Sequence, residues 1–170
     1  MLKLTNLSFP LMLVIRAIQG IFALLVLILS AFVANWYNTS TSYLPPSQIN
    51  FLIFAAVWSL ISIACIELVP RFVSRIPKAY IAAPLDLTNA LFYLAGFAAL
   101  AAFLNGLLFC RGDVCHAAQA AVAFGAFSFA AWTASAALTC LELFKARRGS
   151  IRSPRAAAAT SSSPGMKEAA

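Results

Sequence analysis

The chain has 170 residues, 62% of them hydrophobic and only 10% charged, and its twelve basic and five acidic residues give a net charge of +7. A soluble domain carries roughly 25% charged residues, so this chain cannot cover a water-facing surface of its own. A soluble enzyme, a disordered chain and a nucleic-acid partner are disfavoured at this step, and the mean hydropathy of +0.89 points to a membrane.

A short N-terminus, residues 1–10, precedes four long apolar runs at about 11–34, 51–69, 82–109 and 117–144. Each is long enough, or nearly so, to supply the roughly 20 residues that cross a 30 Å hydrocarbon core. Backbone polar groups in lipid must pair internally, which predicts an all-α integral membrane four-helix bundle. The alternating segments of about 10 residues that mark a membrane barrel are absent. Breakers fall in the connections: Pro45-Pro46, then Pro70, Pro77 and Pro84, then Arg111-Gly112-Asp113. Pro84 is expected in the first turn of the third helix, where its missing N–H costs little. The first run exceeds the 7–15 apolar residues of a typical signal peptide and is read as a retained helix.

Two spans hold ionisable groups at matching depth. Arg16 lies roughly 7 Å into the first run, with Gln19, Gly20 and Ala23 on its face. Asp86 lies similarly deep in the third, with Asn89 and Tyr93 on its face. Arg16 and Asp86 are expected to pair, directly or through Gln19 and Asn89, because a charge in a span is costly alone. The alternative is that Arg16 snorkels to headgroups and Asp86 merely starts its helix. With Glu67 and Glu142, every span has an ionisable group near the same edge, and the rest of the membrane depth has none.

The basic residues set the expected topology. Lys3, Arg16, Arg71, Arg75, Lys78, Lys145, Arg147, Arg148, Arg152, Arg155 and Lys167 fall on one side and Arg111 alone on the other. By the positive-inside rule both termini and the middle connection face the cytosol. The connections at 35–50 and 110–116 then face outward. Asn38-Thr39-Ser40 in the first is a glycosylation acceptor pattern at Asn38. Cys110 and Cys115 in the second would be permitted a disulfide in an oxidising compartment, the alternative being two free thiols.

Small and polar residues also form stripes. The fourth run has Ala121, Gly125, Ser128, Trp132, Ser135, Thr139 and Glu142 on one face, and the third has Ala98, Ala102 and Gly106 at intervals of four. Such stripes let membrane helices approach closely. They are expected to line the bundle interior, with self-association into a homo-oligomer as the alternative. Cys65 and Cys140 read as packed thiols.

No phosphate loop, nucleophile elbow, catalytic carboxylate pair or metalloprotease pattern is present, so no enzyme activity and no cofactor are expected. His116 with Cys110 and Cys115 falls short of four-coordinate zinc. A thiol oxidoreductase would want a Cys-x-x-Cys pair, and a transporter or channel subunit would want ionisable groups through the membrane centre. From Lys145 the chain turns basic, then rich in Ala and Ser, and residues 145–170 are expected to be a disordered tail. Its Lys145, Arg147, Arg148, Arg152 and Arg155 would attract anionic headgroups at about 1 kcal/mol each. Phosphorylation of Ser150 or Ser153 would weaken that attraction.

Arg16-Ala17-Ile18-Gln19, Asp86, and Cys110 to Cys115 followed by Ala120-Ala121-Val122-Ala123-Phe124 and Trp132 resemble, in order and spacing, the fungal MARVEL-domain proteins over about residues 8–144. The resemblance implies a tetraspan domain with cytosolic termini and a disulfide-prone second outer loop. It also implies work in membrane apposition, vesicle trafficking or microdomain organisation, in the plasma membrane or a secretory-pathway membrane. Expected partners are membrane lipids, including anionic and sphingolipid- or sterol-rich domains, and other membrane proteins. The long outer loops of occludin-like members are missing here.

Overall fold

A computed structural model describes residues 5–42, 44–72, 78–106 and 112–160, with side-chain detail within 12–148 except at 71. Four α-helices follow in order: α1 Thr5–Ser40, α2 Ser47–Phe72, α3 Lys78–Gly106 and α4 Asp113–Thr160. They pack in sequence around a square, α1 against α2, α2 against α3, α3 against α4, and α4 back against α1. Connections this short between α1, α2, α3 and α4 make neighbours antiparallel. One end of the bundle therefore carries both chain ends and the α2–α3 connection, and is called the termini end below. The opposite end carries the other two connections.

Each helix contains a stretch long and apolar enough to span a membrane: Met12–Ser40, Ser47–Pro70, Lys78–Gly106 and Asp113–Arg148. Large apolar side chains such as Leu13, Ile21, Ile28, Phe54, Leu91 and Phe127 face outward. The interior combines small and polar residues such as Ala23, Ser59, Asn89 and Ser128 with large ones such as Leu52, Tyr93, Leu100 and Trp132. The apolar outer surface suits a lipid surround, where close packing and interhelical hydrogen bonds draw helices together. The all-α membrane bundle is thus the observed architecture.

Local chemistry sets the helix starts. The Pro46 carbonyl accepts from the backbone N–H groups of Ile49 at 3.0 Å and Asn50 at 3.4 Å, opening α2. Gly112 opens α4, its carbonyl accepting from Cys115 and His116 N–H at 3.1 and 3.2 Å. Its φ of 94° is a conformation that only glycine adopts without strain. Asp113 then places a carboxylate in the first turn, where the helix dipole favours it.

Several expected boundaries move. Helix α1 begins before the apolar run and continues past it, so Asn38 is an exposed residue in the last turn of a helix rather than in a loop. Hydroxyls support that extra turn: Thr39 Oγ donates to the Asn35 carbonyl at 2.9 Å, and Thr41 Oγ to that of Tyr37 at 2.7 Å. Helix α3 begins at Lys78, so Pro84 lies inside it and not in its first turn. Pro70 likewise lies inside α2. The polar or aromatic residues flanking each run are adequate helix formers, and a nucleated helix extends through them at little cost.

The same reasoning corrects the tail. Residues 145–160 continue α4 instead of starting a disordered segment. Lys, Ala and Arg are strong helix formers, and the span supplies the nucleus. Residues 161–170, Pro77, Cys110 and Arg111 lie outside the described residues.

A polar core linking four membrane helices

The interior stripe of α3 is Ala82, Asp86, Asn89, Ala90, Tyr93, Gly96 and Leu100. On α4, Ala121, Gly125, Ser128, Trp132, Ser135 and Thr139 are all buried, as expected of that stripe, while Glu142 is exposed. The α3 stripe of Ala98, Ala102 and Gly106 is instead exposed. At 100° per residue, Ala98 lies about 200° around the helix from Gly96, so the two rows cannot share a face. Close approach comes from other glycines. A Cβ on Gly96 would lie 2.7 Å from Leu52 Cδ2, and one on Gly125 would lie 3.0 Å from Phe97 Cβ.

Toward the termini end, this packing brings Arg16 and Asp86 face to face. Arg16 Nη1 donates to Asp86 Oδ1 at 2.6 Å and Nη2 donates to Oδ2 at 2.9 Å. The side chains are 8% and 0% exposed, so the bidentate pair joins α1 to α3 away from water. Gln19 shares the same face of α1, and its Oε1 accepts from Arg16 Nη1 at 2.9 Å. Its amide then donates to the Ala131 carbonyl at 3.1 Å and Ser135 Oγ at 2.9 Å, tying α1 to α4. Thr139 Oγ donates to Asp86 Oδ2 at 3.4 Å. The Trp132 ring lies under the guanidinium, 5.4 Å from its centroid to Arg16 Cζ, and adds an aromatic face to the cation.

Asn89 does not join this pair. Its amide donates to Ser62 Oγ at 2.9 Å and to the Leu85 carbonyl at 2.8 Å, and its Oδ1 accepts from Ser59 Oγ at 2.8 Å. Ser59 also lies 3.2 Å from the Tyr93 hydroxyl. This second cluster joins α2 to α3. Ser59 and Ser62 were not singled out by sequence reasoning. The signal available was two serines three residues apart in an otherwise apolar span.

Elsewhere at this end, Lys78 Nζ lies 3.7 Å from Glu67 Oε2, with both side chains about half exposed. A cavity of about 320 Å³ opens here, and all four helices contribute to its wall, including Arg16, Glu67, Lys78, Thr139 and Glu142. At the opposite end a cavity of about 430 Å³ is walled by apolar and aromatic residues, among them Val33, Trp36, Tyr37, Leu100, Phe103 and Cys115.

The remaining candidates are distributed around this core. Cys115 is buried in the first turn of α4, and the free thiols among the described residues are Cys65 and Cys140. Lys145, Arg147 and Arg148 are exposed on the continuation of α4. Ser150, Arg152, Ser153 and Arg155 are on the same helix, but their side chains lie outside the described residues.

Four antiparallel apolar helices fastened internally by an ion pair and amide–hydroxyl bonds define an integral, multi-pass membrane protein of the tetraspan bundle class. The chain belongs to the MARVEL family, the membrane-associating domain, which it matches over residues 9–138. No curated protein and no solved structure matches it. The family match covers the Arg16–Asp86 core and stops short of the basic continuation of α4.

Proposed function

We propose that this chain is a non-catalytic organiser of membrane microdomains or of vesicle membranes, acting through lateral contacts with lipids and partner proteins as the fungal members of the family do. The observation that carries this reading is how the protein allots its polarity. The buried Arg16, Gln19, Asp86, Ser59, Ser62 and Asn89 side chains bond from one helix to another, while the outer surface presents large apolar side chains to lipid. A transporter would instead keep polar groups open along a path through the membrane.

Both chain ends face the cytosol in this reading, so the basic continuation of α4 meets an anionic leaflet, where Lys145, Arg147, Arg148, Arg152 and Arg155 add electrostatic attraction. Phosphorylation at Ser150 or Ser153 weakens it. Cys110 and Cys115 form a bridge that closes the outward α3–α4 connection, for which the burial of Cys115 and its place in the first turn of α4 are favourable. The proposal is tested by single-molecule tracking of a fluorescent fusion. Confinement to long-lived patches that disperse on sphingolipid or sterol depletion is expected. Free diffusion indifferent to those lipids overturns it.

A further inference from the structure

The cavity at the termini end has features that the bundle's own stability does not need. Arg16 has five N–H donors in a planar arrangement. Three are engaged, Nη1 with Gln19 and Asp86, and Nη2 with Asp86. The Nε–H and the outer Nη2–H form a second fork with no partner among the described residues, on a side chain that is 92% buried and lines the cavity. Such a fork matches two oxygens of a phosphoryl or carboxyl group.

Lys78 is on the same wall. Its contact with Glu67 is long and half exposed, so the ammonium is free to redirect. Opposite charge is also present: Glu142 lines the cavity and makes no ion pair among the described residues. Ile66 is also in the cavity wall, and Pro70 removes the N–H that its carbonyl would receive in an α-helix.

We infer that this cavity is a headgroup site for a zwitterionic phospholipid with a primary amine, of the phosphoethanolamine type. The phosphate binds the free Arg16 fork and Lys78, and the ammonium binds Glu142, with the Ile66 carbonyl as a further acceptor. Counting Asp86, which holds Arg16, the charges of Arg16, Lys78, Asp86, Glu67 and Glu142 sum to −1 among the described residues, which disfavours an anionic headgroup. A quaternary choline would call for an aromatic cage, and no aromatic residue lines this cavity among the described residues. A volume of about 320 Å³ is at the low end of small-ligand cavities, fit for a headgroup rather than a whole lipid. The acyl chains run down the outer surface past Leu13, an exposed residue on the same rim. This deepens the lipid-organising reading above, but its test needs no lateral clustering and so fails or succeeds separately.

The test uses the full-length protein reconstituted in vesicles of equal parts phosphatidylethanolamine, phosphatidylcholine and phosphatidylglycerol with matched acyl chains. Lipid retained after mild detergent extraction is counted by native mass spectrometry. Phosphatidylethanolamine is expected to be enriched roughly tenfold over the other two, the effect of one charge-assisted hydrogen bond. Glu142→Gln and Lys78→Gln are each expected to remove most of that preference while the helical signal and thermal midpoint stay at wild-type values, since both side chains are exposed. Retention of the three lipids in proportion to the vesicle overturns the proposal, as does a preference that survives both variants. Millimolar soluble phosphoethanolamine is added in a parallel arm. Undiminished lipid retention supports a membrane source, and displacement assigns the site to a free headgroup and overturns the lipid assignment.

Discussion

The two ends of the bundle are held by different physics. At the termini end, α1, α3 and α4 are joined by the Arg16–Asp86 pair, Gln19 and Thr139. At mid-depth, Ser59, Ser62 and Asn89 join α2 to α3. Toward the opposite end, the Thr39 and Thr41 hydroxyls donate to carbonyls of α1 itself. The helices there enclose the larger cavity, between side chains such as Tyr37, Ile49 and Phe103. Polar pairs are directional and set the rotation and register of each helix, whereas apolar contacts tolerate sliding. One end thus specifies the arrangement and the other leaves room within it.

The contrast breaks most decisively at Asp86. Asp86→Ala leaves the Arg16 guanidinium buried without its counter-charge, and removing one partner of a buried pair costs about 3–5 kcal/mol. The midpoint of unfolding in mixed micelles should fall sharply, and Arg16→Ala should do the same. Exchanging the two charges should recover part of the loss; no recovery would mean that the pair is not what holds α1 to α3. Next in size is Gly125→Val, expected to cost about 1–3 kcal/mol. The new Cβ meets Phe97 Cβ at 3.0 Å, and that atom is fixed to the α3 backbone, so α3 and α4 must separate. Gly106→Val, where nothing lies within 4 Å of an added Cβ, is the control on a helix face without such contact.

Asn89→Ala tests the middle layer. It strips the partner from Ser59 and Ser62, yet both hydroxyls also donate to carbonyls of their own helix, Ala55 at 2.9 Å and Trp58 at 2.8 Å. The loss should therefore be moderate, about 0.5–1.5 kcal/mol, near the usual value of an interhelical hydrogen bond in lipid. A smaller effect is expected at the other end. Ala118→Val adds two methyl groups beside the cavity of about 430 Å³ and should change stability by less than about 1 kcal/mol. A large loss there would show that the apolar end is packed as tightly as the polar one.

The spans and their order were legible because composition in lipid leaves so few options: about 20 apolar residues with paired backbone admit only a helix. The Arg16–Asp86 contact was legible from depth alone, since two charges at one level of a membrane have few other partners. Rotation was harder to read. Asn89 shares a face with Asp86, yet it turns to Ser59 and Ser62, because one helical face spans an arc wide enough to touch two neighbours. The Ala98, Ala102 and Gly106 row had the right spacing and the wrong side, for spacing defines a face without saying which way it points. Helix ends were also missed, since hydropathy marks where lipid stops and a helix need not stop there. Asn38 and the basic segment after Phe144 lie in such extensions, and the early start of α3 at Lys78 moves Pro84 out of its first turn.

The smallest effect separates the two ion pairs of the termini end. Glu67→Gln removes the acidic partner of Lys78 at 3.7 Å, but both side chains are about half exposed. Water already solvates each charge, so neither is stranded when the other is lost, and the cost should stay within about 0.5 kcal/mol. Raising salt should erase even that difference, because exposed pairs are screened beyond about 10 Å at 0.1 M and more closely at higher concentration. The Arg16–Asp86 pair, 8% and 0% exposed, should be nearly indifferent to the same salt. Measuring both variants across a salt series therefore sorts fastening from surface decoration without assuming either. A salt-sensitive Asp86→Ala loss would mean that water reaches the buried pair through the cavity that Arg16 lines.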